Sequence, residues 1–222
     1  RLAIIGAGAA SVTATVSIDD PAKGDFTPAS LSVSGFSGPV GGPYQKLAAT
    51  AGDAQAALRG LVFAPTRNRV APDLVETTSL TVSVSDGTTT RTDSAFVKAL
   101  SVNDSPSASD DEGAGFTTTE GQVFTTDNVL DNDVDLDPGD AISITKLSAI
   151  GTLGTVVNEG DGTFTYDPGN LFDSLPLGDS ATDTFSYTIQ DSRGAISLAE
   201  VVITIEGQNT APVALADSLT LN

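Results

Sequence analysis

The sequence predicts an all-β chain of tandem β-sandwich modules. Three observations carry this. Short runs of alternating polar and apolar residues, rich in Val, Ile and Thr, are separated by Asp-Gly and Pro-Gly turns. Several segments recur in the same order with a period near 105 residues. One helical segment stands out, over Asp53–Gly60, with Asp53 placed to cap its start and Gly60 to close it.

In chain order, the first elements lie around Ile4-Ile5-Gly6-Ala7-Gly8. This resembles the glycine-rich turn that cradles a pyrophosphate, but that turn must lead into a helix. Here Ser11-Val12-Thr13-Ala14-Thr15-Val16-Ser17-Ile18 follows, with apolar Val12, Val16 and Ile18 on one side of a period-2 pattern. Gly6–Gly8 is therefore read as a turn between strands that binds no dinucleotide. The first hundred residues offer strands at Leu2–Ile5, Val12–Ile18, Leu61–Ala64, Ser79–Ser85 and Arg91–Leu100. The second hundred offer Gln122–Thr125, Ala141–Leu147, Thr155–Asn158, Thr163–Tyr166, Asp183–Gln190 and Ala199–Glu206. Turns at Asp86-Gly87, Pro138-Gly139 and Asp161-Gly162 punctuate them.

Composition narrows the chemistry. The 222 residues include no Cys, His, Met or Trp. That removes disulfides, thiol nucleophiles, His-based triads and the usual zinc ligands. The net charge is -19, and it is uneven: residues 1–104 carry nine acids and eight bases, residues 105–222 twenty acids and two bases. This balance disfavours nucleic acid and anionic membranes and suits hard cations held by oxygen. No apolar run approaches the ~20 residues of a membrane span, and Arg1-Leu2-Ala3 does not begin a signal peptide. The chain is expected to start and stop inside a longer polypeptide.

The repeats define the organisation. Val102-Asn103-Asp104-Ser105-Pro106-Ser107-Ala108 recurs as Gln208-Asn209-Thr210-Ala211-Pro212-Val213-Ala214, and Asp111 matches Asp217 at the same offset of 106. Leu80–Gly87 recurs around Phe185–Asp191, and Leu61–Pro65 as Phe164–Pro168. These matches divide the chain into a module at 1–104, short of its N-terminal strand, a module at 105–208, and the first strand of a truncated third at 209–222.

The joint Val102-Asn103-Asp104-Ser105-Pro106, the segment Asn128-Val129-Leu130-Asp131-Asn132-Asp133-Val134-Asp135, Gly162-Thr163-Phe164-Thr165-Tyr166-Asp167-Pro168, and Asp183–Asp191 together resemble the bacterial cadherin-like (VCBS-type) tandem modules of large secreted adhesins. Ala56–Pro65 resembles a variant type of the same family. The resemblance implies Ig-like (cadherin-like) sandwiches joined end to end, with Ca2+ at the joints. It implies a ligand set of Asn103 and Asp104 from the linker, Asp133 and Asp135 from an Asp-x-Asp loop, and Asp191 from a later loop. Asp131 and Asp137 are second choices. The second joint, Glu206-Gly207-Gln208-Asn209-Thr210, lacks the Asp and keeps only Asn209.

The residues support calcium independently. Asp131, Asp133, Asp135 and Asp137 fall at alternate positions, and Asp137-Pro138-Gly139-Asp140 then turns the chain. Calcium needs six to eight oxygens, and carboxylates so close together repel one another without it. The stretch lacks the Gly and Glu of an EF-hand. The functional expectation is an extracellular spacer of a repetitive surface adhesin, stiffened by calcium. Its partners would be neighbouring modules, with neither nucleic acid nor membrane insertion. The alternative is a subunit of an extracellular filament or surface layer, with strand 214–221 pairing with a neighbouring module. No acid pair is singled out as catalytic, and no enzyme is expected.

Overall fold

The computed structural model describes residues 11–208. The Gly6–Gly8 turn, the strand at Leu2–Ile5 and the third-module strand at 214–221 lie outside them. The chain divides into two compact units between Asn103 and Asp104.

In the first unit, β1 (Val12–Ile18) turns Val12, Ala14, Val16 and Ile18 inward. After β2 (Gly24–Phe26) comes a helix, α1 (Pro28–Ser34), and then β3 (Tyr44–Ala48). A second helix, α2 (Ala51–Arg59), precedes β4 (Phe63–Pro65), β5 (Val75–Ser85) and β6 (Thr90–Leu100). One sheet runs β3-β1-β5-β6, and β2 pairs with β4 separately. The apolar side of β1 packs against Ala54 and Ala57 of α2 and against Phe26, Phe36 and Tyr44.

Helix is less confined than the sequence suggested. α1 has complete stop and start chemistry: Thr27 accepts from the Ser30 amide, Pro28 opens the first turn, and Gly35 closes it at a φ of 72°. Three serines and a valine in seven residues give it little propensity of its own. The start of α2 also differs from expectation. The cap is Thr50, not Asp53, because the Thr50 hydroxyl accepts from the Asp53 amide at 3.1 Å and donates to Asp53 Oδ2 at 2.8 Å. Gly60 ends α2 close to α1: a Cβ there would stand 2.6 Å from Ser34 Oγ.

The second unit is a two-sheet sandwich. Its strands are β7 (Thr117–Thr119), β8 (Phe124–Thr125), β9 (Ser143–Ser148), β10 (Thr155–Asn158), β11 (Phe164–Asp167), β12 (Ser180–Gln190) and β13 (Ile196–Glu206). One sheet runs β7-β13-β12-β9, the other β10-β11-β8. β12 and β13 pair antiparallel over eleven residues each. Their alternation aims Phe185, Tyr187 and Ile189, and Ala199, Val201, Ile203 and Ile205, into the core. Phe164 of the facing sheet meets Phe185 at 5.0 Å and Tyr187 at 6.1 Å between ring centroids, so the aromatic rings join the two layers. Each such fully buried ring contributes about 1.5–3 kcal/mol over an exposed one. β7 is short and parallel to β13, with Thr117 opposite Thr204 and Thr119 opposite Glu206. Ahead of it, Asp111 bridges Val201, also in parallel.

Candidate calcium site

The acidic loop between β8 and β9 begins as a 3-10 turn at Val129–Asn132. Asn128 opens this turn by accepting from the Leu130 amide at 2.9 Å. The loop ends in Asp137-Pro138-Gly139-Asp140, where Pro138 presets one bend and Gly139 takes a φ of 80°. The Asp140 amide returns to the Asp137 carbonyl at 3.2 Å. A second loop, Asp191–Ala195, joins β12 to β13. Asp191 Oδ1 holds it by accepting from the Arg193 and Ala195 amides at 2.9 and 2.8 Å.

These two loops bring Asp135, Asp140 and Asp191 together, one carboxylate oxygen of each lying within 4.8 Å of the others. The first two are half-buried and the third is buried. The oxygens divide in a consistent way. Asp135 Oδ1 accepts from the Asp137 amide at 2.8 Å. Asp137 Oδ2 accepts from the Asp104 amide at 2.7 Å. Asp140 Oδ1 accepts from the Ala141 and Ser192 amides at 2.9 and 3.1 Å. The opposite oxygens, Asp135 Oδ2, Asp137 Oδ1 and Asp140 Oδ2, are buried and have no hydrogen-bond partner among the described residues. A buried carboxylate oxygen left so is costly, and a cation is one kind of partner that would satisfy it. Hydrogen bonds from Ser192 hold Asp140 below the usual carboxylate range, in its charged form.

The sequence-predicted residues separate here. Asp135 and Asp191 are in the cluster. Asp104 reaches the loop through its backbone amide on Asp137, and Asn103 is the half-buried linker residue before it. Asp133 stands apart. Its Oδ1 accepts from the Ser109 amide at 2.8 Å, and its Oδ2 faces the Tyr187 hydroxyl at 3.1 Å. Asp131 is exposed. Sequence reasoning passed over Asp140, treating it as the end of a turn. The signal was there: a Pro-Gly turn folds the chain back, so the acid after it faces the acids before it.

A second buried acidic group lies beneath the loop. The Tyr187 hydroxyl is 2.9 Å from Asp111 Oδ2, 3.1 Å from Asp133 Oδ2 and 3.1 Å from the Val129 carbonyl. One hydroxyl proton cannot serve all three acceptors. Burial pushes Asp111 up to about 6, against the Tyr187 hydrogen bond and with help from the Asp133 charge. Burial also raises Asp133, offset by the Ser109 and Tyr187 bonds. This group ties the entering segment to the sandwich and keeps Asp133 occupied.

Residues 103–207 match the family model described as "Bacterial cadherin-like domain". No curated protein matches the chain. Among solved structures, the chain is similar to Protocadherin Gamma B7 extracellular cadherin domains 1–4 at 13% identity, TM-score 0.38, covering 87% of this chain and 41% of that one. It is similar to mouse Cadherin-23 EC22–24 at 10% identity, TM-score 0.36, covering 89% and 53%. It is also similar to an endo-fucoidan hydrolase of glycoside hydrolase family 107 at 13% identity, TM-score 0.29, covering 91% and 24%. The chain thus spans about half or less of the length of these structures, and alignments this loose assign it no activity. The family match, the two-sheet architecture and the paired loops agree on one assignment: residues 103–207 form a bacterial cadherin-like domain.

Proposed function

We propose that the chain is a pair of tandem extracellular spacer modules from a repetitive adhesin, and that calcium stiffens the joint leading into the second module. The observation that supports this most is the set of three buried, unpartnered carboxylate oxygens on Asp135, Asp137 and Asp140, with Asp191 alongside Asp135 and Asp140. The donor set is all oxygen and strongly anionic, which suits a hard divalent cation and not a thiophilic or imidazole-seeking metal. Asp135, Asp137, Asp140 and Asp191 would hold the ion, with Asn103 and Asp104 adding linker oxygens. When bound, the ion supplies charge neutralisation and rigidity.

The chain's own residues supply the mechanical coupling. The Asp104 amide is already fixed on Asp137. A filled site therefore holds the acidic loop, the Asp191 loop and the start of the linker as one piece. An empty one leaves like charges in one cluster, whose repulsion loosens that piece. A stiff joint suits a spacer, which has to project something else.

Small-angle scattering of the whole chain tests the coupling. The expected result is a narrower distribution of shapes in calcium than in chelator, a difference lost in Asp135→Asn/Asp191→Asn. Identical curves in calcium and chelator, with calcium bound, would contradict the stiffening while leaving the site intact.

A further inference from the structure

The first unit carries a cavity that the calcium reading does not use. It has a volume of about 540 Å3 and lies between the end of α1, the edge strand β3 and one side of α2. Its apolar walls are small and aliphatic: Val33 from α1, Ala48 from β3 with Ala49 beyond it, and Ala56 and Ala57 from α2. A cavity of this size, apolar with a few convergent polar groups, has the form of a ligand site.

Three features of the lining define what it accepts. The first is charge. Lys46 is half-buried, and its Nζ donates to the Ser34 carbonyl at 2.6 Å, at the end of α1. An ammonium has three donors, so two are left. Lys23 and Arg69 pair with carboxylates, whereas Lys46 makes no ion pair among the described residues. Asp53, the acid on the lining, has Oδ2 engaged by the Thr50 hydroxyl at 2.8 Å. The second feature is Ser34. It is 5% exposed, and its hydroxyl oxygen is buried with no hydrogen-bond partner among the described residues. The third is the backbone of β3, which pairs with β1 on one side and ends its sheet on the other. Gln45 exchanges both of its bonds with Ser37: the Ser37 amide donates to the Gln45 carbonyl at 3.0 Å and the Gln45 amide to the Ser37 carbonyl at 2.8 Å. Gln45 thus turns its backbone away from β1, and by the alternation of an antiparallel ladder Leu47 does the same. Leu47 lines the cavity, and among the described residues no strand pairs with it on that side.

We propose that this cavity binds the end of an extended peptide, with its free α-carboxylate at Lys46, its backbone paired with Leu47, and an aliphatic last side chain against the alanines of α2. The strand edge offers both a donor and an acceptor, which an extended peptide residue matches and an isolated carboxylate does not. Lys46 is the one base on the lining, and a neutral group would leave its charge unmatched. The site is independent of the acidic loops of the second unit.

Nuclear magnetic resonance titration of the isotope-labelled full chain with acetyl-Ala-Ala-Val bearing a free carboxylate tests it. The expected result is saturable shifts centred on the Leu47, Ala49 and Ala57 amides, with submillimolar affinity. The C-terminal amide of the same peptide should bind about tenfold or more weakly. So should a form with its backbone amides methylated, which keeps the charge and loses the strand pairing. Lys46→Gln should weaken the free acid to a similar degree, with an unchanged circular dichroism spectrum, because Gln can still donate to the Ser34 carbonyl. No saturable shift at millimolar peptide would overturn the proposal. So would equal binding of acid and amide, or sodium isovalerate binding as tightly as the peptide.

Discussion

At the residue scale, the acids of the second unit do two different jobs within a few positions of one another. Asp135, Asp137 and Asp140 each spend one oxygen on a backbone amide and leave the other buried and open. Asp111 and Asp133 instead share the Tyr187 hydroxyl in the interior. The difference predicts a pH signature. Asp111 holds its proton more tightly in the folded chain, at about 6 against an ordinary 3.8. Its contribution is therefore fully present below 3.8 and is lost as pH rises through 6. Between pH 7.5 and 5 that amounts to about 1.4 kcal/mol of added stability on acidification. Asp111→Asn, a neutral stand-in for the protonated acid, should show less of this gain. Denaturant melts of both proteins in chelator at the two pH values check it. An equal pH response would refute the shared-proton account. The alternating acids were legible in the sequence. Which of them faced inward was not, because that depends on Tyr187 arriving from a strand more than fifty residues later.

At the element scale, the strands were the most legible part. The period-2 runs gave β1 and β10 with the observed limits, and β12 and β13 to within a few residues. β2, β3 and β7 were missed. β2 and β7 are three residues each, too short to show a period, and both are held by partners distant in sequence: β2 by β4, β7 by β13. The α2 cap shows a local competition. Asp53 and Thr50 are both good caps, and Thr50 wins because a turn starting there still reaches the Asp53 amide. Thr50→Ala should cost about 1 kcal/mol and lower the melting midpoint of the first unit, whereas Asp53→Ala should cost less. A larger loss from Asp53→Ala would argue that the helix begins where the sequence alone had put it.

At the scale of the whole molecule, the account rests on a cation at the paired loops of the second unit. Binding only to the folded state would add RT ln(1 + [Ca]/Kd), about 2.7 kcal/mol at a hundredfold excess over Kd. Asp140→Asn should remove most of the calcium-dependent rise in melting temperature while changing little in chelator, since it also relieves repulsion there. The most direct measurement is calorimetric titration of calcium into the full chain and its variants. The account predicts saturable uptake of at least one ion, weakened about tenfold or more by Asp135→Asn/Asp191→Asn and unchanged by Asp131→Asn. No heat of binding at millimolar calcium, or a loss caused by Asp131→Asn but not by the Asp135/Asp191 pair, would contradict it.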